Sequence, residues 1–391
     1  MSTGQMLGYR RFQGGVTLIE LLIALVLSLA VLIGLSSVYV AVKQSFRFQE
    51  TTGRLQEDAN FALDTISKEL RMAGYAGCSG IKKITAGSVT SYYPGSVLAS
   101  GSPNGIEGSN PLAQIENSNV EVTYQPLTPL NFIRGFDSVP NGMFASGSVP
   151  TTSGTDSLFF SGGSVDSVAV SAPMGATNSP LTISSDTYGW RNATLNGGAY
   201  NMIVSDCTSS SVFGGKVSVS GGVTTIAHDT GLGNSVGTFA SSYLFGTDAV
   251  VSLVRWNFFY VATRAGATTP SLYRVTFNGN SRLVAEEIVS NVESMQLHYG
   301  ENTTADASGI PTLVADQWRT TAASVTNWSR VVAVRVGLMM ISGDDNANPG
   351  VTLTTPTLLG QTYTIPTGGS ANRLRKEFSS TVVLRNSVAA R

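Results

Sequence analysis

The residues in this chain that could do chemistry are few, and the first of them is Glu20. It is the single charge in an otherwise apolar run from Val16 to Val42. A carboxylate at the centre of a membrane span costs roughly 2.5 to 3.5 kcal/mol, and less near an end, so it needs a partner or a function. Gly15 immediately precedes the run, and Arg10 and Arg11 precede Gly15. Cleavage between Gly15 and Val16 would place the new α-amine of Val16 at the depth of a Glu20 carboxylate on a neighbouring helix. Two charges that are costly alone would then be paired between subunits.

The other candidates carry less. Cys78 and Cys207 are the only cysteines, too few for a disulfide framework or a four-thiolate metal site. They can form one bridge in an oxidising compartment, worth about 4 to 5 kcal/mol by loop closure, or remain two buried thiols. No CxxC spacing makes them catalytic. His228 and His298 fall in no HExxH or paired spacing, so zinc is not expected. Asp344, Asp345, Asn346 and Asn348 crowd one turn, with enough oxygen for a weak calcium site. The spacing is not that of an EF-hand, and a solvated Asx-rich turn is the simpler reading. The loop Gly231 to Gly237 has one residue too many in its last gap for a dinucleotide fingerprint and no helix pattern after it. Trp256, Phe258, Phe259, Tyr260 and Tyr273 alternate along two adjacent strands, which is core packing rather than a stacking surface. No enzyme and no cofactor are therefore expected. With 24 Lys+Arg against 25 Asp+Glu and no basic cluster, nucleic acid is not an expected partner.

The elements that would position these groups follow from composition and periodicity. Charged residues make up 13% of the 391 residues and glycine numbers 42, which points to a Gly/Ser/Thr-rich β protein rather than a helical cytoplasmic enzyme. The run 16–42 is long enough to span a bilayer. Arginines before it and none within it put the N-terminus in the cytoplasm and the rest outside the inner membrane. A cleaved signal peptide fits poorly, because the run is too long and no small-x-small site closes it. Leu55, Ala59, Ala62, Ile66, Leu70 and Ala73 then recur at helical spacing, predicting an amphipathic continuation over 43–75. One helix is expected from about Val16 to Ala73, stopped by Gly74 and Gly77. Residues 76–247 read as short strands with wide loops, among them Val120 to Tyr124, which lies outside the residues described below, Ser157 to Ser161, Ser167 to Ser171 and Lys216 to Ser220. Residues 248–391 carry stronger strand signals, and the stretch 281–304 is expected to begin as a short helix-like segment and end as a strand.

Gly15-Val-Thr-Leu-Ile-Glu20, with basic residues before and an unbroken apolar helix after, resembles the class III signal of type IV prepilins and type II secretion pseudopilins. That resemblance implies a leader of residues 1–15, cut by a prepilin peptidase after Gly15, and N-methylation of Val16, which stands where the family usually has Phe. The stretch Arg54 to Cys78 resembles the PilW family of minor pilins, as do Val292-x-x-Met295-x-x-x-Tyr299-Gly300, Arg330 to Ser342 and Lys376 to Asn386. The implied protein is α+β: a long pilin helix, membrane-embedded in its first half, packed on a β-rich antiparallel-sheet domain closed by a Cys78–Cys207 disulfide. It would be a single-pass inner-membrane precursor with a periplasmic domain, and later an extracellular pilus subunit at or near the tip, active in priming assembly. Its partners would be other minor pilins, the major pilin, the prepilin peptidase and a tip adhesin. A type II secretion pseudopilin is the nearest alternative, and an anchored periplasmic binding protein a more distant one.

Overall fold

A computed structural model describes residues 15–77, 83–86, 89–92, 95–96, 132–138, 154–184, 192–232, 234, 236–239, 243–264, 266–278, 285–304, 314–343, 356–365 and 373–386. The chain divides into two units, Met1–Gly53 and Arg54–Arg391. The predicted helix is present as α1, Leu18–Leu70. It is long and apolar enough to cross a membrane, and in the first unit its side chains from Leu18 to Glu50 are exposed. In the second unit the predicted stripe is buried: Leu55 is 2% exposed, and Ala59, Ala62, Ile66, Leu70 and Ala73 are fully covered. Each large aliphatic side chain so placed contributes about 1.5 to 3 kcal/mol.

The helix ends by tightening. Met72 and Ala73 donate to the carbonyls of Glu69 and Leu70, three residues back, and Gly74 then adopts a left-handed φ of 74°. A side chain there would also meet the Asn386 carbonyl oxygen at 2.8 Å, so glycine serves both the turn and the clearance. Asn386 returns the contact, its Nδ2 donating to the Arg71 and Ala73 carbonyls at 3.2 and 3.3 Å. Helix carbonyls that lack an intrahelical donor are thereby satisfied from the far end of the chain.

In chain order the first strands are β1 (Lys83–Ala86), β2 (Val89–Tyr92), β3 (Gly95–Ser96), β4 (Ile133–Phe136), β5 (Ser157–Ala172) and β6 (Leu181–Ile183). They are followed by β7 (Ala199–Ser205), β8 (Ser210–Ser220), β9 (Val223–Ala227), β10 (Val250–Ala262), β11 (Ser271–Asn278) and β12 (Glu286–Ser290). The hairpin β1–β2 stands by itself, whereas β3 to β12 form one sheet. Within that sheet β5, β10, β7, β8, β9 and β6 pair in turn, and β6 pairs again with β5. The six strands therefore close a ring, which removes the open edges of a flat sheet. Val168, Ile183, Met202, Phe213, Ile226 and Val251, one from each of the six, share a core cluster. Since β10 joins β5 and β7, the sheet runs across positions 247 and 248. The aromatic group on β10 and β11 is core as expected, with Trp256, Phe258, Phe259, Tyr260 and Tyr273 all buried.

The remaining strands are β13 (Val292–Glu301), β14 (Gln317–Arg319), β15 (Val331–Ile341), β16 (Thr357–Leu358), β17 (Gln361–Thr362) and β18 (Arg375–Val383). A second antiparallel sheet has the order β14-β13-β15-β18. Val292, Leu297, Val334 and Val382 of this sheet share a core with the helix stripe. Of the helix-like segment expected from Ser281, residues 281–284 lie outside the described residues, and Glu286–Ser290 is a strand. Ile288 and Val289 pack on the helix-side core, and Asn291 at φ 63° breaks the chain between β12 and β13, so pairing with β11 overrides the local pattern.

A short strap, Gly154 to Asp156, stitches the two sheets together. Asp156 N donates to the Met295 carbonyl at 2.8 Å, Met295 N to Thr155 Oγ1 at 3.0 Å and Leu297 N to Asp156 Oδ2 at 2.8 Å. Burial pushes the Asp156 carboxyl up to about 7; the Leu297 N–H opposes this and the charge of Asp137 adds to it. The folded state thus holds this proton more tightly than the unfolded chain, whose ordinary value is 3.8. The associated stability is complete below about pH 4 and is lost as pH rises through 7, at up to about 1.4 kcal/mol per pH unit. Asp156→Asn should remove that slope and leave the variant more stable than wild type at pH 8. Denaturation midpoints of both proteins from pH 4 to 8 check this, and parallel curves would contradict it.

Candidate processing and assembly site

The N-terminus of α1 is built by four consecutive residues. Thr17 precedes the first helical turn and accepts the Glu20 N–H on Oγ1 at 3.3 Å, while Glu20 Oε2 accepts from Thr17 N and Thr17 Oγ1, both at 3.2 Å. This reciprocal arrangement is a capping box, with the acid at the third helical position. Its signature, Thr-x-x-Glu at 17–20, is legible in sequence. The box uses one carboxylate oxygen; Oε1 makes no hydrogen bond among the described residues, and the side chain is exposed. Glu20 can therefore hold its own helix end and still receive a second donor.

Gly15 is not required by the fold. It has no left-handed φ, and a Cβ built on it meets nothing within 4 Å. That contrasts with the glycines at the other end of α1. At Gly162 on β5 a Cβ would lie 2.4 Å from the Met72 carbonyl oxygen. Its neighbours carry the bonds that this approach permits: Gly74 N donates to the Ser161 carbonyl at 2.8 Å and Gly163 N to the Tyr75 carbonyl at 2.7 Å.

Charge fixes the same end. Glu69 receives Arg274 Nη1 and Asn257 Nδ2, each at 3.3 Å, and lies 3.7 Å from Arg255 Nη2. Arg274 reaches on to Glu286 at 2.7 Å. Deeper in the second sheet, Arg375 makes a two-pronged pair with Glu293 at 2.7 and 2.8 Å, both side chains almost fully buried. Such a pair ties β13 to β18 across the intervening β15 more than it adds net stability. Neither Glu69 nor Glu293 stood out in the sequence, because a single acid on an amphipathic pattern carries no mark of the strand it will face.

Cys207 follows β7 in a turn held by Asp206, whose Oδ1 accepts from Thr208 N and Ser209 N at 2.6 Å. Cys207 is disulfide-bonded; Cys78 lies outside the described residues. Gly77, at φ 89°, comes so close to Ser205 that a Cβ would sit 2.3 Å from the serine Cβ. The residue before Cys78 thus lies against the residue two before Cys207. Asp344, Asp345 and Asn346, the weak calcium candidates, are outside the described residues, as is the leader before Gly15. His228 is buried with its Nε2 2.9 Å from the Ser179 carbonyl, and His298 lies on β13 opposite Arg335; the structure does not bring the two histidines into one site. Burial and the Arg335 charge both push the His298 imidazole below its ordinary value.

Residues 10–36 match the prokaryotic N-terminal methylation motif, and residues 258–386 match the family described as Type IV Pilus-assembly protein W. The second match starts within β10 and ends at Asn386, the residue that caps α1. A solved type IV-like pilin from Thermus thermophilus is similar over 49% of this chain and 85% of its own, at 16% identity and a TM-score of 0.20. No curated protein matches the chain at a significant level. The chain is pilin-like at both ends: a class III prepilin signal opens a long apolar helix, and a PilW-matched region runs from β10 through β11 and β12 and on through the second sheet.

Proposed function

We propose that this type IV pilin-like protein is a minor pilin, non-enzymatic, that is cut after Gly15, N-methylated on Val16 and carried into the pilus through its helix. Before assembly it would be a single-pass inner-membrane protein with the second unit in the periplasm. In the filament it would lie at or near the tip, where it primes growth with other minor pilins, adjoins the major pilin and supports a tip adhesin. The observation that carries the reading is the pairing of features at the start of α1. Gly15 has no role in the fold, which leaves its requirement to a peptidase. Glu20 keeps one oxygen out of its own cap, which leaves it to receive the α-amine that cleavage would create on a neighbouring subunit.

Shearing tests the reading. In a strain lacking the gene, surface pili should fall by at least tenfold, and complementation should restore them with the protein recovered in the sheared fraction. Normal piliation without the gene, or a protein confined to the membrane in piliated cells, would overturn it.

In the periplasm Cys207 would pair with Cys78, a reading supported by the close approach of Gly77 to Ser205. The bridge closes a long loop worth about 4 to 5 kcal/mol. Alkylation of the native protein should label neither cysteine until it is reduced; labelling of Cys78 without reduction would remove the bridge from the picture.

A further inference from the structure

One row of residues crosses the second sheet on the face turned away from the helix stripe. His298 on β13 faces Arg335 on β15, and Arg335 faces Thr381 on β18. Their sequence neighbours Leu297, Tyr299, Val334, Val336 and Val382 belong to the core shared with α1, so by strand alternation the row lies on the opposite face. Trp318 on β14, paired with Gly300, completes the cluster: the Arg335 guanidinium carbon lies 4.5 Å from the centre of an indole ring.

Arg335 is held on two sides and open on the third. Its Nε donates to Thr381 Oγ1 at 3.3 Å, and the Trp318 ring supports its flat face, which fixes the direction of the fork. Among the described residues neither Nη1 nor Nη2 meets a hydrogen-bond or ion-pair partner, whereas Arg274, Arg319 and Arg375 each meet a carboxylate. Thr381 accepts from Arg335 and keeps its own O–H to donate. The described acids nearby are engaged elsewhere: Glu377 lies opposite Met339 and accepts the Leu359 N–H at 2.8 Å, and Glu301 is held by Arg319 of β14. Arg385, exposed just past β18, is a further base. His298, beside Arg335, is 7% exposed, and burial together with the Arg335 charge holds its imidazole below the ordinary value. At neutral pH the row therefore carries one positive charge.

We propose that Arg335 and Thr381 form a recognition site for a single carboxylate, carried by an aspartate or glutamate side chain of a partner protein. A guanidinium with both Nη groups open offers a carboxylate two parallel hydrogen bonds, and one positive charge beside a neutral imidazole matches a monoanion rather than a phosphate dianion. The bearer is a protein because the site is an open sheet face. Thr381 is exposed, and Trp318 and Val383 are 38% and 48% exposed. Arginine stacked on tryptophan is the composition of a protein contact, whereas a small free acid needs an enclosing pocket. The site is independent of where the leader is cut.

The chain has two histidines, so the full-length protein in detergent, grown on isotope-labelled histidine, gives two imidazole signals in nuclear magnetic resonance, and His298→Gln identifies one of them. The probe is the peptide acetyl-Val-Glu-Val-amide, compared at equal concentration, up to tens of millimolar, with acetyl-Val-Gln-Val-amide and with sodium acetate. A carboxylate on Arg335 offsets the charge that depresses His298, so the Glu peptide should raise the His298 titration midpoint by about one pH unit, equivalent to about tenfold tighter binding when the imidazole is protonated. The Gln peptide should leave it in place, acetate should move it far less, and His228 should not respond. Arg335→Gln, once shown to melt within a few degrees of wild type, should start from a higher midpoint and lose the response; where it does not fold, the wild-type titrations decide alone. A His298 signal that the Glu peptide does not move, or that the Gln peptide moves equally, overturns the site. Equal movement by acetate overturns the assignment to a protein side chain.

Discussion

Gly15→Arg should leave the chain as a full-length precursor in the membrane, with processed product reduced to background. The expectation joins one observation to the proposed cleavage. A side chain at Gly15 meets nothing in the fold, so the substitution should not disturb α1, its cap or the second unit. In the proposed cleavage the residue before the scissile bond enters the peptidase site, where a guanidinium-bearing side chain should not fit in place of glycine. Loss of processing with unchanged melting of the second unit would therefore separate a recognition defect from a folding defect. Immunoblots of membrane fractions resolve precursor from mature chain. A normal N-terminus at Val16 in the variant would sink the assignment of the cleavage site.

Replacement of Glu20 should have the second large effect, at a later step. Glu20→Leu makes the span more apolar and should insert at least as well as wild type. It also removes the Thr17 capping box, costing roughly 0.5 to 2 kcal/mol of helix stability, and leaves a neighbouring α-amine without its partner, a loss of roughly 3 to 5 kcal/mol in a low-dielectric bundle. The expected result is a processed, membrane-resident protein absent from sheared pili. Glu20→Gln divides the two contributions, because glutamine can occupy the same capping position yet carries no charge. Both variants should fail if pairing between subunits governs assembly. If Glu20→Gln is incorporated like wild type, the cap alone matters and the charge does not direct assembly.

How much of this could be read from the residues depended on the range of the forces involved. The α1 stripe was legible because one periodic face is enough to bury a helix, and Leu55 through Ala73 are covered as their spacing predicts. The aromatic group on β10 and β11 was legible for the same reason. The closed ring of six strands was not, since β5 and β10 meet through backbone bonds between segments far apart in sequence, which alternation alone cannot pair. The strand Glu286–Ser290 was not legible, because two adjacent acids and a short apolar pair suit a helix locally, and only the edge of β11 decides otherwise. The Asn386 cap was hidden as well: an asparagine near the end of a chain gives no sign of which helix it will reach. At the N-terminal site the position of Gly15 and the oddity of Glu20 were visible at once, whereas the free second oxygen of that carboxylate needed coordinates.

The most direct measurement is the N-terminal mass of the protein recovered from sheared pili. Peptide mass spectrometry of that fraction should find the chain beginning at Val16 and bearing a single methyl group on its α-amine, with no peptide from residues 1–15. A chain that reaches the pili with its leader intact, or one cut at Val16 but never found outside the membrane fraction, would contradict the assignment of this protein as a processed filament subunit.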